Sequence, residues 1–214
     1  MGFHQIFIDK IKPLLLKSKR IAVIGDQEVV NDVGHWAPIT SLWGKDRACA
    51  IDIYEHPAHS QLINTGTYIK IDLSNVSIPK STRYDLVIDG GTLEHVSNFV
   101  GAFSEFWSAL EIHGYFVFSY PINNLVDHGY WQPQPRFFWD FFDKNGGQFK
   151  HFEVFQHPAE GLTSQSVRRV AYSPKAPETM AQPGYFVPSM TAGLFAIVEK
   201  LSDQRIVLPL EEIN

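Results

Sequence analysis

The sequence has a single cysteine, Cys49, in 214 residues. One cysteine excludes an intrachain disulfide and a zinc site built from cysteines, and its place in a predicted strand favours a core residue over a reactive thiol. No apolar run reaches membrane-spanning length. The apolar residues 14–16 are flanked by lysines and followed by no cleavage site, which argues against a signal peptide. We therefore expect a cytoplasmic protein without a membrane span.

An excess of basic residues is also missing. The chain has 18 lysines and arginines against 23 acidic residues, a net charge of −5, and a nucleic-acid partner would favour a basic surface. With 44% hydrophobic and 19% charged residues, the composition is typical of a globular protein. The length predicts one domain over residues 1–214, large enough to bury a core.

The most informative stretch reads as a strand, a helix and a second strand. Residues 84–89 (YDLVID) are apolar, and residues 96–110 place apolar side chains at helical steps of three and four. Gly114 stands where a helix C-terminal glycine is expected, and residues 115–120 form the next apolar run. Two buried strands joined by a helix are most simply parallel, with a right-handed crossover.

Parallel sheets bind ligands beyond the carboxyl ends of their strands. This rule places Asp89, Gly90 and the segment after Pro121 at the predicted site. Two further predicted strands also end in an acid, Asp52 and Asp72. A carboxylate at such a place offers two acceptor oxygens to the vicinal hydroxyls of a ribose.

The strand–helix–strand stretch resembles the fourth-strand to fifth-strand region of class I S-adenosylmethionine-dependent methyltransferases. The resemblance lies in YDLVIDGGTLEHV, in the helix that follows, and in LEIHGYFVFSYP. The LEHV element is similar to the small-molecule branch that includes the ubiquinone-biosynthesis O-methyltransferases, and the resemblance covers about residues 21–155. It implies an α/β Rossmann-like three-layer sandwich with a mostly parallel sheet and an antiparallel last strand. It also implies methyl transfer from S-adenosylmethionine to a small-molecule or sugar-type acceptor, in envelope polysaccharide or secondary metabolism.

The resemblance assigns cofactor-binding roles residue by residue. Asp52 would bind the ribose, with Glu55 in reserve, and Asp72 and Leu73 would contact the adenine. The first loop departs from the family, because Gly25 is not followed by further glycines. Asp26 and Glu28 are either displaced acceptors for the methionine ammonium group or solvated loop acids. The predicted cofactor site comprises Gly25, Asp26, Asp52, Asp72, Leu73, Asp89 and Gly90.

Methyl transfer to a hydroxyl needs in-line geometry and a base, and histidine is the natural base near neutral pH. The candidates are His128, after the fifth strand, and His95, which alternatively only braces its loop. In the ubiquinone branch the Glu-His pair binds a metal with an acid three residues before the glutamate. That position is Gly91 here, so we predict no metal site.

Two segments flank the resemblance. Residues 1–20 predict a leading helix, packed on the sheet rather than serving as a lid or membrane-surface helix. Residues 157–189 are rich in proline and glycine and predict a lid or an oligomer contact. Two rival functions stay open: a non-catalytic methyltransferase-fold binding or assembly protein with a degenerate cofactor site, and a nicotinamide-linked dehydrogenase, whose glycine fingerprint is absent.

Overall fold

The computed structural model describes residues 2–42, 50–58, 62–158, 162–170, 172, 187 and 189–209. Cys49 and most of residues 157–189 lie outside this part, as do the predictions made for them. No helix in the described ranges is long and apolar enough to cross a membrane.

Three α-helices and eleven strands make up the described chain. The helices are α1 (Gln5–Lys17), α2 (Phe99–Ser108) and α3 (Pro135–Lys144). The strands are β1 (Gly2–His4), β2 (Arg20–Ile24), β3 (Glu28–Val30), β4 (Trp36–Pro38), β5 (Ala50–Glu55), β6 (Thr67–Lys70), β7 (Tyr84–Asp89), β8 (Leu110–Asn123), β9 (Gly147–His157), β10 (Arg168–Val170) and β11 (Thr191–Lys200).

Eight strands form one sheet in the order β10-β9-β11-β8-β7-β2-β5-β6. The pairs among β8, β7, β2, β5 and β6 are parallel, whereas β11 runs antiparallel to both β8 and β9. The predicted mostly parallel sheet with an antiparallel last strand is confirmed.

Helices cover both faces of this sheet. Strand β2 shows the alternation: Ala22 and Ile24 face the core that contains α2 and α3, and Ile21 and Val23 face the core that contains α1. Strands buried on both sides must be apolar throughout, which explains their near-continuous hydrophobic runs. The three-layer arrangement is confirmed, and the leading helix packs on the sheet.

Two local predictions are wrong. The first helix does not start at the beginning of the chain, because Gly2–His4 form a strand that pairs with β3. Gly114 does not end a helix: α2 stops at Ser108, and Gly114 lies inside β8. A register shift in the β7–β8 pair and a positive φ of 66° at His113 allow the strand to begin so early.

The strand order fixes where a ligand can enter. From β2 the chain proceeds to β5 and β6 on one side, and then returns to β7 and β8 on the other. The order therefore reverses between β2 and β7, and open α/β sheets bind ligands in the crevice at this point.

Candidate functional site

The loop after β2 begins at Gly25, which has a φ of +76°. Its N–H donates to the Tyr54 carbonyl over 2.8 Å, and a Cβ at this position would overlap the Thr92 hydroxyl. Only glycine fits both the backbone conformation and the close approach. The predicted first glycine is thus required where the β2 and β7 loops meet.

The next residue, Asp26, has neither of the two roles predicted for it. It is buried, and its carboxylate accepts hydrogen bonds from the Ile63 N–H (2.7 Å), the Asn64 amide (2.6 Å) and the Tyr68 hydroxyl (2.9 Å). These donors tie the β5–β6 connection to the loop after β2. The side chain is neither a solvated loop acid nor an acceptor kept open for an ammonium group.

Gln27 and Phe3 fill the crevice between β2 and β7. Both are fully buried, and the Gln27 amide nitrogen donates to the Ile24 carbonyl (2.6 Å) and the Thr92 hydroxyl (2.7 Å). A Cβ at Gly90 would lie 2.5 Å from Gln27 Oε1 and 2.8 Å from the Phe3 ring. The sequence analysis identified neither side chain. Gln27 could have been noticed, because it stands where the resembling family has further glycines.

The second strand ends three residues later than predicted, at Glu55. Asp52 lies inside β5, where it accepts a hydrogen bond from the Tyr84 hydroxyl (2.8 Å), so its prediction as the strand-ending acid is wrong. Glu55 occupies that place. Its two carboxylate oxygens accept from the Asp26 N–H (2.8 Å) and the His56 N–H (2.6 Å).

Asp72 and Leu73 stand just beyond β6, which ends at Lys70 rather than at Asp72 as predicted. The exposed Asp72 carboxylate accepts from the Ser74 N–H (2.9 Å) and the Asn75 amide (2.8 Å). These bonds, that from Ser74 first, lower the pKa of Asp72. Leu73 is buried beside it, so a planar ligand group at this corner would meet an acceptor and an apolar surface.

Asp89 ends β7 and is completely buried. Its carboxylate accepts from the Tyr120 hydroxyl (2.6 Å), the Thr92 N–H (2.8 Å) and the Leu93 N–H (3.2 Å). Burial raises the pKa of Asp89 to about 6, against the opposing effect of these hydrogen bonds. The residue therefore fixes the short 3₁₀ turn Leu93–His95 rather than facing a ligand.

That turn carries Glu94 and His95, which cluster with His128 from the loop after β8. Glu94 is only 1% exposed, and its Oε1 lies 3.7 Å from His95 Nε2 and 3.9 Å from His128 Nε2. The two imidazole rings are 5.0 Å apart. Burial, followed by the nearby Asp89 carboxylate, raises the pKa of Glu94, whereas burial and then His128 lower the pKa of His95.

His128 is held in this cluster by the loop after β8. The Trp131 N–H donates to the Glu94 carbonyl (3.0 Å), and the Trp131 indole N–H donates to the Val96 carbonyl (2.9 Å). A Cβ at Gly129 would lie 2.9 Å from the same Glu94 carbonyl. The loop is thus docked on the turn, and the two predicted histidines, which are 33 positions apart in sequence (128 − 95), become neighbours.

A pocket of about 150 Å³ opens beside Glu94 at this edge of the sheet. Its walls come from the ends of β7, β8 and β9 and the start of β11, and they include Gly90, Gly91, Tyr120, Thr191 and Gly193. Nearby, Tyr130 and Trp131 expose 76% and 41% of their surface. The arrangement combines a small cavity, a buried carboxylate and exposed aromatic rings.

Solved structures that share this architecture include O-methyltransferases. The StiE O-MT matches with a TM-score of 0.55 and 13% identity, over 92% of this chain and 72% of that one. TehB from Haemophilus influenzae matches with a TM-score of 0.58 and 8% identity, over 92% of this chain and 62% of that one. A third match is an O-methyltransferase from a trans-AT PKS multienzyme of Brevibacillus brevis, in complex with S-adenosyl-L-homocysteine. Its TM-score is 0.54 and its sequence identity 13%, over 90% of this chain and 72% of that one.

Neither a protein-family model nor a curated protein matches the chain. At such low identities the likeness shows the fold alone. The chain has the class I methyltransferase fold, which confirms the resemblance noted in residues 84–121 at the level of the fold.

Proposed function

We propose that the protein transfers a methyl group from S-adenosylmethionine to a small-molecule or sugar-type acceptor. The observation that carries the proposal is the cluster of Glu94, His95 and His128 beside a pocket at the carboxyl edge of a methyltransferase-type sheet. In this fold the methyl donor and its acceptor have to meet at that edge.

The cofactor would lie across the ends of β5, β6 and β7. Glu55 binds the ribose hydroxyls in this proposal, because it ends β5 at the ligand-binding edge and a carboxylate offers two acceptor oxygens to two vicinal hydroxyls. Asp72 accepts from the adenine amino group, with Leu73 against the ring. This assignment replaces the predicted ribose role of Asp52 and keeps the predicted adenine contacts.

The chemistry is an in-line displacement at the methyl carbon. The acceptor oxygen forms a bond to that carbon while the bond from carbon to the sulfonium sulfur breaks, which leaves S-adenosylhomocysteine as a neutral thioether. The hydroxyl proton passes to His128, whose side chain is 45% exposed and can reach an acceptor. His95 and Glu94 hold His128 in place, and Asp89 positions the turn that carries them.

A hydroxyl-bearing, sugar-sized acceptor fits this edge. The pocket is small, and Tyr130 and Trp131 are 76% and 41% exposed on the loop that docks against the Glu94 carbonyl. Two of the structural neighbours are named O-methyltransferases, which is in keeping with an oxygen acceptor. Envelope polysaccharide and secondary metabolism are the two contexts we propose for such a substrate.

A second candidate is a non-catalytic methyltransferase-fold binding or assembly protein. The packing of Gln27 and Phe3 against Gly90 favours it, because these side chains occupy the crevice at the switch point. A cofactor can enter there only if they move. The same packing leaves the turn with Glu94 and the pocket beside it intact.

Calorimetric titration with S-adenosylmethionine and S-adenosylhomocysteine separates the two candidates. Micromolar binding, followed by transfer of labelled methyl to a panel of hydroxylated acceptors that is lost in His128→Ala, supports the enzyme. If neither compound binds at millimolar concentration, the non-catalytic candidate replaces it.

A further inference from the structure

We infer that His128, with Glu94 and His95, forms a binding site for one divalent transition-metal ion. Each residue offers one ligand atom, and the three atoms lie within 4.8 Å of one another. The site stands on its own geometry. A metal-bound His128 has its lone pair coordinated, so the base role that we propose for His128 in methyl transfer belongs to the metal-free form.

The distances suit a metal after a small contraction. Ligand atoms about 2.1 Å from a tetrahedral ion lie about 3.4 Å from each other. Glu94 Oε1 is 3.7 Å from one histidine nitrogen and 3.9 Å from the other. The two Glu94 distances therefore need a contraction of a few tenths of an ångström. The two histidine nitrogens, which lie within 4.8 Å of each other, have to approach further, and the partly exposed His128 ring is the side chain that can move.

The buried Glu94 carboxylate supplies a second, independent observation. Glu94 is 1% exposed, and its Oε2 has no hydrogen-bond donor in the part of the chain that the structure describes. A buried polar atom without a partner is costly, and a buried charge is tolerated when it is paired or coordinates a metal. A cation bound at Oε1 would neutralise the carboxylate and so lower the cost of leaving Oε2 without a donor.

Gly91 explains why the third ligand comes from a distant loop. The residue has a φ of +96°, and a Cβ on it would lie 2.9 Å from Glu94 Oε1. A side chain at this position, acidic or not, is strained by the backbone conformation and would displace the Glu94 carboxylate. His128 comes instead from the loop that Trp131 docks against the Glu94 carbonyl.

The ligand set decides the class of metal. Two imidazoles and one carboxylate suit zinc, manganese, iron or cobalt, whereas magnesium and calcium prefer oxygen ligands throughout. Three protein ligands leave at least one coordination position open. The pocket beside Glu94 gives that position access to a small oxygen ligand, such as water or a hydroxyl group, whose proton the metal would make more acidic.

Direct titration of the tag-free, chelator-stripped full chain with Zn²⁺ tests the site. We expect one ion per chain at micromolar affinity or tighter, with Mg²⁺ bound at least about a hundredfold more weakly. His128→Ala and Glu94→Gln should each weaken Zn²⁺ binding by at least about tenfold. His113→Ala is the matched control: this histidine is 73% exposed near the start of β8 and should leave the affinity unchanged.

His128 is a surface loop residue, so its alanine variant should keep the wild-type circular dichroism and melting temperature of the metal-free protein. The absorption of bound Co²⁺ gives a second readout, because loss of one ligand changes its visible bands. Wild-type affinity or an unchanged cobalt spectrum in folded His128→Ala overturns the site. Cofactor titration is a separate measurement, so failure of the metal site leaves the proposed function standing.

Discussion

Gln27 is the side chain that most directly opposes cofactor entry. Its amide lies against Gly90, and its Oε1 has no partner among the described residues. We expect Gln27→Ala to open the crevice and to raise the affinity for S-adenosylhomocysteine by at least about tenfold. The loss of two buried hydrogen bonds should lower the free energy of unfolding by about 1–3 kcal/mol. Calorimetry and urea unfolding measure the two effects.

Gln148→Ala serves as the control, because Gln148 is an exposed glutamine on β9. It should change neither quantity. An unaltered or weaker affinity in folded Gln27→Ala would show that the side chain does not block the cofactor.

Glu55 and Asp52 offer a paired test of the ribose site. Glu55 ends β5 at the ligand-binding edge, whereas Asp52 accepts from Tyr84 three residues earlier. We expect Glu55→Gln to weaken cofactor binding by at least about tenfold, because a charged acceptor is lost. Asp52→Asn should leave binding within about twofold and lower the free energy of unfolding by about 1 kcal/mol. The reverse order of the two affinities would restore Asp52 as the ribose acid.

At the scale of elements, the docked loop after β8 determines the geometry of the cluster. Gly129→Ala places a Cβ 2.9 Å from the Glu94 carbonyl and 3.2 Å from His95 Nδ1. The loop has to move away, so we expect Zn²⁺ affinity to fall at least about tenfold although all three ligands remain. Val126→Ala, in the same loop but 84% exposed, is the control. Equal affinities in the two variants would mean that the loop does not place His128.

The strand–helix–strand unit could be predicted because its periodicity is local. Alternating and helical apolar patterns in residues 84–123 report burial on one or two faces, and burial is what the sheet and α2 provide. The positions of Asp89 and Gly25 followed from the same patterns, since Asp89 ends β7 and Gly25 follows β2 directly, and Asp72 lies two residues beyond the end of β6.

The remainder depended on contacts distant in sequence. Nothing near Asp52 shows that β5 continues for three more residues, because its extension is set by pairing with β2 and β6. The burial of Gln27 follows from a short strand formed by Gly2–His4, and local patterns do not reveal such pairings. His128 likewise reaches Glu94 on a loop that the hydrogen bonds of Trp131 dock against a turn distant in sequence.

On the scale of the whole molecule, two sites converge on one edge of the sheet. The crevice between β2 and β7 holds Gln27 and Phe3, and the turn after β7 carries Glu94 and His95. Asp89 connects them, because it ends β7 and also binds the N–H groups that start the turn. Ordering one site should therefore help to order the other.

Thermal unfolding with both ligands tests this connection. A ligand at a hundred times its dissociation constant stabilises the folded state by about 2.7 kcal/mol, which for a chain of this size raises the melting temperature by about 5–10 °C. We expect this shift with Zn²⁺ in the wild type and none in His128→Ala. With S-adenosylhomocysteine added as well, the shift in melting temperature should exceed the sum of the two separate shifts. The entropy cost of ordering Asp89 and its turn is then paid by the first ligand and not again by the second. A sum that is merely additive would mean that the crevice and the metal cluster bind their ligands independently.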